Sequence, residues 1–338
     1  MINFAELQSY HFVSELDVLE VTTATNVTVA ITAADNTELL RGTYIPVDGR
    51  VRLYHLHKLL SPLIIETVAT FTIRAGNTSK AVNVVQSAQS IGETAMEFLP
   101  SFFLSSVMTE RDTAIGRKEL VSILPIEATL PTVSAECSYW DGTAIVTSTK
   151  AVAATLTAGA VTEIDVSPKK FEDNTLGELV AYEIIAGERR MRYRVATLPT
   201  SETAMLFRNT FGAWEALYFA GMEEREPEYT RETAMVNGEM RIYNLEETDT
   251  AASHTGPLRP GGIALSRDLA RSRDVVLLEK GVTSDAVVIT AVAVNYTSAD
   301  DSIADFTFTW RRAGLLSAKL ITARTPRVFD ETFDETYE

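Results

Sequence analysis

His55 and His57 are the chain's most suggestive pair of metal-capable side chains. They are two residues apart, so on a strand both would point to one side. A metal ion would need a third ligand, and only His11 and His254 remain among the histidines. The pair therefore reads as two surface histidines, and neither a metal nor a cofactor is expected. A Ser-His-Asp device needs a poised serine, and the chain has no Gly-x-Ser-x-Gly elbow. His254, within Ala-Ser-His-Thr-Gly, reads as a loop residue. Asp300-Asp301 offers oxygen ligands of the kind that hold calcium. No Asp-x-Asp-x-Asp-Gly loop supports such a site, and a polar hairpin turn is the plainer expectation. Glu223-Glu-Arg-Glu226 and Glu246-Glu247 read as solvated acids, and no glycosidase pair can be picked from them without geometry. Gly261-Gly262 follows Pro260 but lacks the Lys and Ser/Thr of a phosphate loop, so it reads as a flexible turn. Arg267, Arg271 and Arg273 lie at helical spacing beside Asp268 and Asp274, which suggests a salt-bridged helix. With four histidines and one cysteine, catalytic side chains are scarce. No catalytic residue is assigned, and the chain is not expected to be an enzyme.

Aromatic residues are the stronger interaction candidates. Phe211, Trp214, Tyr218 and Phe219 cluster within nine residues. Aromatics are enriched at interface hot spots, and they also stack on sugars. They dominate domain cores as well, so core packing is the competing reading. Trp140 precedes Asp141-Gly142, close to a turn, and is expected to be partly exposed. Phe211, Trp214, Tyr218 and Trp140 are thus the binding candidates, for a protein interface or a glycan. Trp310 alternates with Phe306 and Phe308 and is expected to face inward.

The elements around these residues are mainly strands. Val27-Thr-Val-Ala-Ile-Thr32 and Val51-Arg-Leu-Tyr54 alternate with period two. Phe71-Thr-Ile73 and Val82-Asn-Val84 flank Ala75-Gly76-Asn77, a hairpin signal, and Asp48-Gly49 is another. Leu56-His-Lys-Leu-Leu60 before Pro62 suggests a helical turn. Ser266–Ser272 suggests a short helix with Ser266 as its N-cap.

An internal repeat organises the chain. Glu93-Thr-Ala-Met96 recurs as Glu202-Thr-Ala-Met205, an offset of 109, with Phe98 and Phe102 matching Phe207 and Phe211. At an offset of 111, Phe71-Thr-Ile-Arg-Ala-Gly76 aligns with Tyr182-Glu-Ile-Ile-Ala-Gly187, Leu53 falls on Ile164, and Lys58 falls on Lys169. A third Glu-Thr-Ala-Met, at 232–235, fits neither period. The expected fold is mostly β: tandem β-sandwich domains of immunoglobulin/fibronectin-like type, then a third, larger β-rich domain carrying a short helix. The expected boundaries are 1–92, 93–201 and 202–328, with an acidic tail at 329–338.

Composition narrows the partners. The chain has 338 residues, 46% of them hydrophobic, and a net charge of −16. An acidic chain is repelled by phosphate backbones and anionic bilayers, so neither nucleic acid nor membrane is an expected partner. Cys137 is the single cysteine, which excludes internal disulfides and multi-cysteine metal sites. The start, MINFAELQSY, has no basic n-region, and no signal peptide is expected.

Residues 207–310 carry a resemblance. Phe207-Arg-Asn-Thr-Phe-Gly-Ala-Trp-Glu215, Tyr229-Thr-Arg-Glu-Thr-Ala-Met-Val-Asn-Gly238, Tyr243-Asn244, His254-Thr-Gly-Pro-Leu258, Leu269-Ala-Arg-Ser-Arg273 and Phe306-Thr-Phe-Thr-Trp310 occur in that order. This pattern, together with Gly49-Arg-Val-Arg-Leu53, resembles a family of β-rich virion proteins of Bacteroidetes phages and prophages, found near tail-tip and baseplate components. The resemblance implies a structural or adhesive virion protein, made in the host cytoplasm and assembled into the virion. Its implied partners are other tail proteins and further copies of itself, with a host surface glycan as the alternative.

Overall fold

The computed structural model describes residues 2–87, 91–108, 110–197, 203–237, 239–279, 282–295 and 304–314. Glu202, the Asp300-Asp301 turn and the acidic segment 329–338 lie outside the described residues. The fold is mostly β, with several sheets and few helices.

The first eight strands are β1 (Ile2–Asn3), β2 (Tyr10–Phe12), β3 (Val18–Thr22), β4 (Val27–Ala33), β5 (Glu38–Tyr44), β6 (Arg50–Tyr54), β7 (Val68–Ala75) and β8 (Thr78–Val85), with helix α1 (Leu56–Leu60) after β6. They form one sheet of order β2-β8-β7-β4-β5 and a second of order β1-β3-β6. Period-two alternation turns Val29, Ile31, Phe71, Ile73, Val82 and Val84 inward from the larger sheet. There they meet Leu19, Val21, Val51 and Leu53 of the smaller one in a single core. Asp48 and Gly49 both adopt positive φ, 52° and 74°, as a tight two-residue turn requires. That turn does not close a hairpin ladder. Val47 and Arg50 form only an isolated bridge, and the turn carries the chain from one sheet to the other.

Helix α2 (Ala95–Ser101) leads into seven more strands: β9 (Glu110–Thr113), β10 (Leu120–Ile123), β11 (Val133–Trp140), β12 (Ile145–Ala151), β13 (Thr162–Asp165), β14 (Glu178–Ala186) and β15 (Arg189–Val195). Their sheets are β12-β11-β14-β15-β9 and β10-β13, again enclosing one core. The larger sheet repeats the first. β9 joins β15 in parallel, as β2 joins β8. Registers repeat too: Leu53 pairs with Leu19 as Ile164 pairs with Val121, and Asn83 pairs with Tyr10 as Arg194 pairs with Asp112. The 111-residue offset therefore joins equivalent positions in paired strands. It also joins equivalent turns, because Gly76 and Gly187 hold φ of +59° and +65° between β7 and β8 and between β14 and β15.

The 109-residue match has no such basis. Thr94 caps α2, and the Glu97 carboxylate accepts from its backbone N–H at 3.0 Å and its hydroxyl at 2.9 Å. This capping box starts a helix. The second copy has Leu206 where the first has Glu97, and Thr203-Ala204-Met205 enters a strand instead. The shared Thr-Ala-Met thus occupies two conformations, and only the helical copy has the glutamate that closes the capping box.

The third part is a single sheet with a helix on one face. Its strands are β16 (Thr203–Arg208), β17 (Trp214–Tyr218), β18 (Glu223–Val236), β19 (Glu239–His254), β20 (Val275–Glu279), β21 (Val282–Asn295) and β22 (Asp305–Arg312), in the order β17-β16-β20-β21-β22-β19-β18. β16 is buried on both faces, which explains its unbroken apolar run. Met205 and Phe207 meet Leu265 and Leu269 of helix α3 (Pro260–Arg271). Ala204 and Leu206 face the other way, onto Leu120 of β10. Trp310 faces inward, as expected, and its indole N–H donates to Ser253 Oγ at 2.9 Å.

Helix α3 starts earlier than expected. Its N-cap is Arg259 and Pro260 opens the first turn, while Ser266 is buried mid-helix. The Gly261-Gly262 pair is part of the helix, not a flexible turn. A Cβ on Gly261 would meet the Glu110 carbonyl oxygen at 2.7 Å, and one on Gly262 the Leu258 side chain at 2.9 Å. The glycines let the helix start sit directly against β9. Asp268 is buried, accepts from Thr210 N at 3.1 Å, and has Arg271 and Arg111 among its charged neighbours.

Candidate functional site

Three of the four aromatic candidates lie at an internal joint. Phe211 is only 1% exposed, so it is not a surface binding residue. Its ring stands 5.8 Å from Phe12 and 5.2 Å from Phe98, which are 5.4 Å from each other. These rings come from β2, α2 and the turn before β17. Val85, Leu99, Leu104 and Leu124 complete this cluster. The turn is built by Asn209. Its Oδ1 accepts from Phe211 N and Ala213 N, and its Nδ2 donates to Leu104 O at 2.8 Å. Gly212 holds φ +75°, and a Cβ there would lie 2.6 Å from the Glu66 carbonyl oxygen. The turn is wedged against the first sandwich.

Trp214 is half-buried beneath the Arg208 guanidinium, 4.5 Å from the ring centroid. Tyr218 is also half-buried, with the Arg117 guanidinium 4.7 Å from its ring. The Tyr218 hydroxyl accepts from Lys118 N at 2.5 Å. Burial pushes this phenol up to about 12. Phe219 is buried against Phe308. Core packing thus claims most of this group, because the β16–β17 pair is covered on both faces.

A charged cleft lies beside Tyr218. A cavity of ≈ 330 Å³ is lined by Arg111, Arg117, Glu119, Tyr218, Leu258 and Arg259, among others. Glu119 is buried and accepts from Thr113 Oγ1 at 2.8 Å. Burial raises its carboxyl pKa from the ordinary value, and Arg111, the Thr113 hydroxyl and Arg117 only partly oppose this. Burial likewise lowers the Arg117 pKa. These groups face one another between the second sandwich and the third sheet, so the cleft acts as a polar seam.

Trp140 differs. It ends β11 and is 41% exposed. The following turn is held by the Asp141 carboxylate, which accepts from Thr143 N at 2.7 Å and Ala144 N at 2.8 Å.

The largest outward feature was not among the sequence candidates. β18 and β19 pair continuously from Glu223↔Ser253 to Val236↔Glu239. Only Thr250–His254 of β19 also pairs with β22. From Pro227 and Asp249 outward the ribbon has no third strand beside it among the described residues. At ~3.3 Å per residue, that free length is about 30 Å. Tyr229, Arg231, Thr233 and Met235 alternate along one face of β18, with Ile242 opposite Thr233 and Met240 opposite Met235. Tyr229, Met235, Met240 and Ile242 are 48–71% exposed. The opposite face carries Glu224, Glu226, Glu228 and Glu232. The first face mixes these apolar side chains with Arg231 and with Glu247, which lies opposite Tyr229, while the second is mainly acidic. The period-two pattern in Tyr-Thr-Arg-Glu-Thr-Ala-Met is the signal that marks it.

Of the histidines, His11 is buried, with its Nδ1 2.8 Å from Glu15. His254 lies in β19, not a loop, and its Nδ1 is 2.9 Å from Thr307 Oγ1. His55 and His57 both turn toward Asp17. Their Nδ1 atoms lie 3.4 and 3.0 Å from its Oδ1.

No family model matches the chain. No curated protein matches it either. Among solved structures, a chain from the virion of a native gene transfer agent particle aligns with 32% of this chain and 91% of its own length, at 8% identity and TM-score 0.24. A chicken TCR structure aligns with 61% of this chain and 87% of its own, at 10% identity and TM-score 0.15. Both TM-scores are too low to mark a shared overall fold. Among the described residues, no helix is long and apolar enough to cross a membrane.

Proposed function

We propose that the chain is a non-enzymatic structural protein of a phage or prophage virion, a tail-tip or baseplate component that works through protein–protein interfaces. Its parts are two sandwich domains, at 1–92 and 93–201, and a sheet-and-helix domain at 202–328. Its partners are further copies of itself and neighbouring tail proteins. The β18–β19 ribbon carries this reading. An isolated two-stranded ribbon is marginal in water. This one also exposes a row of large apolar side chains, which marks an interaction surface. The occupant we assign is a second copy of the chain, since β18 is the outermost strand of its sheet and its outer edge has no strand beside it among the described residues. The resemblance of residues 207–310 to virion proteins agrees with this assignment.

The test is mass measurement of the purified chain across a dilution series, with negative-stain images of the same samples. A discrete oligomer that the paired change Met235→Glu and Met240→Glu dissociates is the expected result. A monomer at every concentration, or an oligomer indifferent to those changes, overturns the ribbon assignment. A second reading, a glycan-binding adhesin, draws on the exposed Trp140. It predicts a monomer whose saturable sugar binding is lost in Trp140→Ala.

A further inference from the structure

We infer that Asp17, His55 and His57 form a binding site for one divalent transition-metal ion of the zinc class. Three observations lead there. First, the three ligand atoms converge. One ligand atom from each of Asp17, His55 and His57 lies within 4.8 Å of the other two, and the Nδ1 atoms of His55 and His57 lie 3.4 and 3.0 Å from Asp17 Oδ1. Zinc binds imidazole nitrogen and carboxylate oxygen at ~2.0–2.2 Å, so neighbouring ligands of a tetrahedral ion lie roughly 3.3–3.5 Å apart. One of the two distances to Asp17 falls in this range and the other just below it, and the third separation is short enough for small side-chain rotations to close it.

Second, the contact is not a simple hydrogen bond. His57 Nδ1 is shielded from solvent and has no hydrogen-bond partner among the described residues, although it lies 3.0 Å from the carboxylate oxygen. The distance suits an N–H donor and the alignment does not. Two ring nitrogens gathered around one carboxylate oxygen offer the donors of a ligand set.

Third, the backbone is held in an uncommon state to achieve it. His55 adopts φ +62°, ψ +32°, a left-handed conformation that non-glycine residues seldom take. Strain of this kind clusters at functional positions. The strain has a visible consequence. β3 and β6 end their ladder at Val18↔Tyr54, which sets Asp17 and His55 side by side, and His55 N donates to Asp17 O at 2.6 Å. The left-handed residue then turns the chain into α1, whose second residue is His57. Three ligands are drawn together by the end of one antiparallel pair and the first turn of one helix. A carboxylate completes the ligand set that the histidines alone could not.

The donor set selects the ion. Two imidazoles and one carboxylate suit zinc, nickel, cobalt or copper, whereas calcium and magnesium take mainly oxygen. Asp17 and His55 are exposed and His57 is half-buried, so the fourth position opens to solvent and would hold water. The bound ion would clip α1 to the end of the β3–β6 ladder. This inference is independent of the assembly reading.

The test is calorimetric titration of the full chain, free of any polyhistidine tag and stripped with chelator, with zinc and separately with nickel. One ion per chain is expected, with a metal-dependent rise in melting temperature. His57→Gln, Asp17→Asn and His55→Asn should each weaken binding by ~10-fold or more. Asparagine is chosen at 55 because it tolerates the left-handed backbone, so the fold is retained. Melting of each variant without metal checks this. His254→Gln should bind as the unchanged chain does. Absence of saturable binding up to about 1 mM metal overturns the site. So does unchanged affinity in the combined His55→Asn, His57→Gln variant.

Discussion

Arg111 on β9 and Glu215 on β17 form an ion pair that is almost wholly removed from solvent on both sides. The same Arg111 nitrogen, Nη2, also donates to Ser105 Oγ. The pair joins the second sandwich to the third sheet by charge, beside the apolar contact of Leu120 with Ala204 and Leu206. Its neighbours Arg117, Glu119 and Tyr218 extend the polar seam, while the Phe12–Phe98–Phe211 cluster fastens the first sandwich to the same region. The aromatic-rich segment after residue 207 is therefore the internal joint of the molecule.

Removing one partner of a buried ion pair strands the other charge, at a cost of about 3–5 kcal/mol. Arg111→Met and Glu215→Leu should each lose stability on that scale in urea unfolding. The double variant should lose much less than the sum of the two, because no charge is left buried.

Glu119 gives a pH signature. Its folded-state pKa is raised by burial, so protonation favours the fold. Its contribution to stability is therefore greatest at low pH and is lost as pH rises from the unfolded value through the raised folded one. Glu119→Gln keeps an oxygen for the Thr113 hydroxyl and abolishes the titration. At pH 7 the variant should be at least as stable as the unchanged chain, and its advantage should shrink toward pH 4.5. Urea midpoints at several pH values measure the difference directly.

Gly212 and Phe211 should fail for different reasons. Gly212→Ala combines a positive φ with a Cβ 2.6 Å from a carbonyl oxygen. Backbone strain and overpacking together should cost about 2 kcal/mol or more. Phe211→Ala leaves a cavity beside the Phe12 and Phe98 rings and should cost about 3–5 kcal/mol. Melting scans should show both losses. Phe211→Ala should in addition split the transition if the joint is what makes the sandwiches unfold together.

Local signals in the sequence were reliable where one element determined the outcome. The alternation at Val27–Thr32, the Gly76 and Gly187 turns, and the inward Trp310 followed from period and turn chemistry. The 111-residue repeat marked two sheets of the same order. Signals failed where a distant segment decided. Gly261 reads as part of a flexible turn because the carbonyl of Glu110 that leaves it no room for a Cβ is about 150 residues away. The Glu-Thr-Ala-Met tetrad reads as one module, yet Thr94 and Glu97 close a capping box that Thr203 and Leu206 cannot form. Asp17 was overlooked because nothing in the linear order links it to His55. Only the β3–β6 register does so.

Cys137 provides a probe of how independent the second sandwich is. It is fully buried at the centre of that core, beside Tyr182 and Met191, and burial pushes its thiol up. A buried thiol of raised pKa is inert until the structure around it opens. Labelling by an aromatic disulfide should therefore be slow in native buffer and limited by local opening. Tyr182→Ala damages the same core and should speed labelling by more than ~100-fold, by the usual cost of a large-to-small change. Phe211→Ala damages the joint and leaves that core intact, so it should speed labelling by less than ~10-fold. Equal acceleration by both would mean that the second sandwich cannot stay closed without its neighbours.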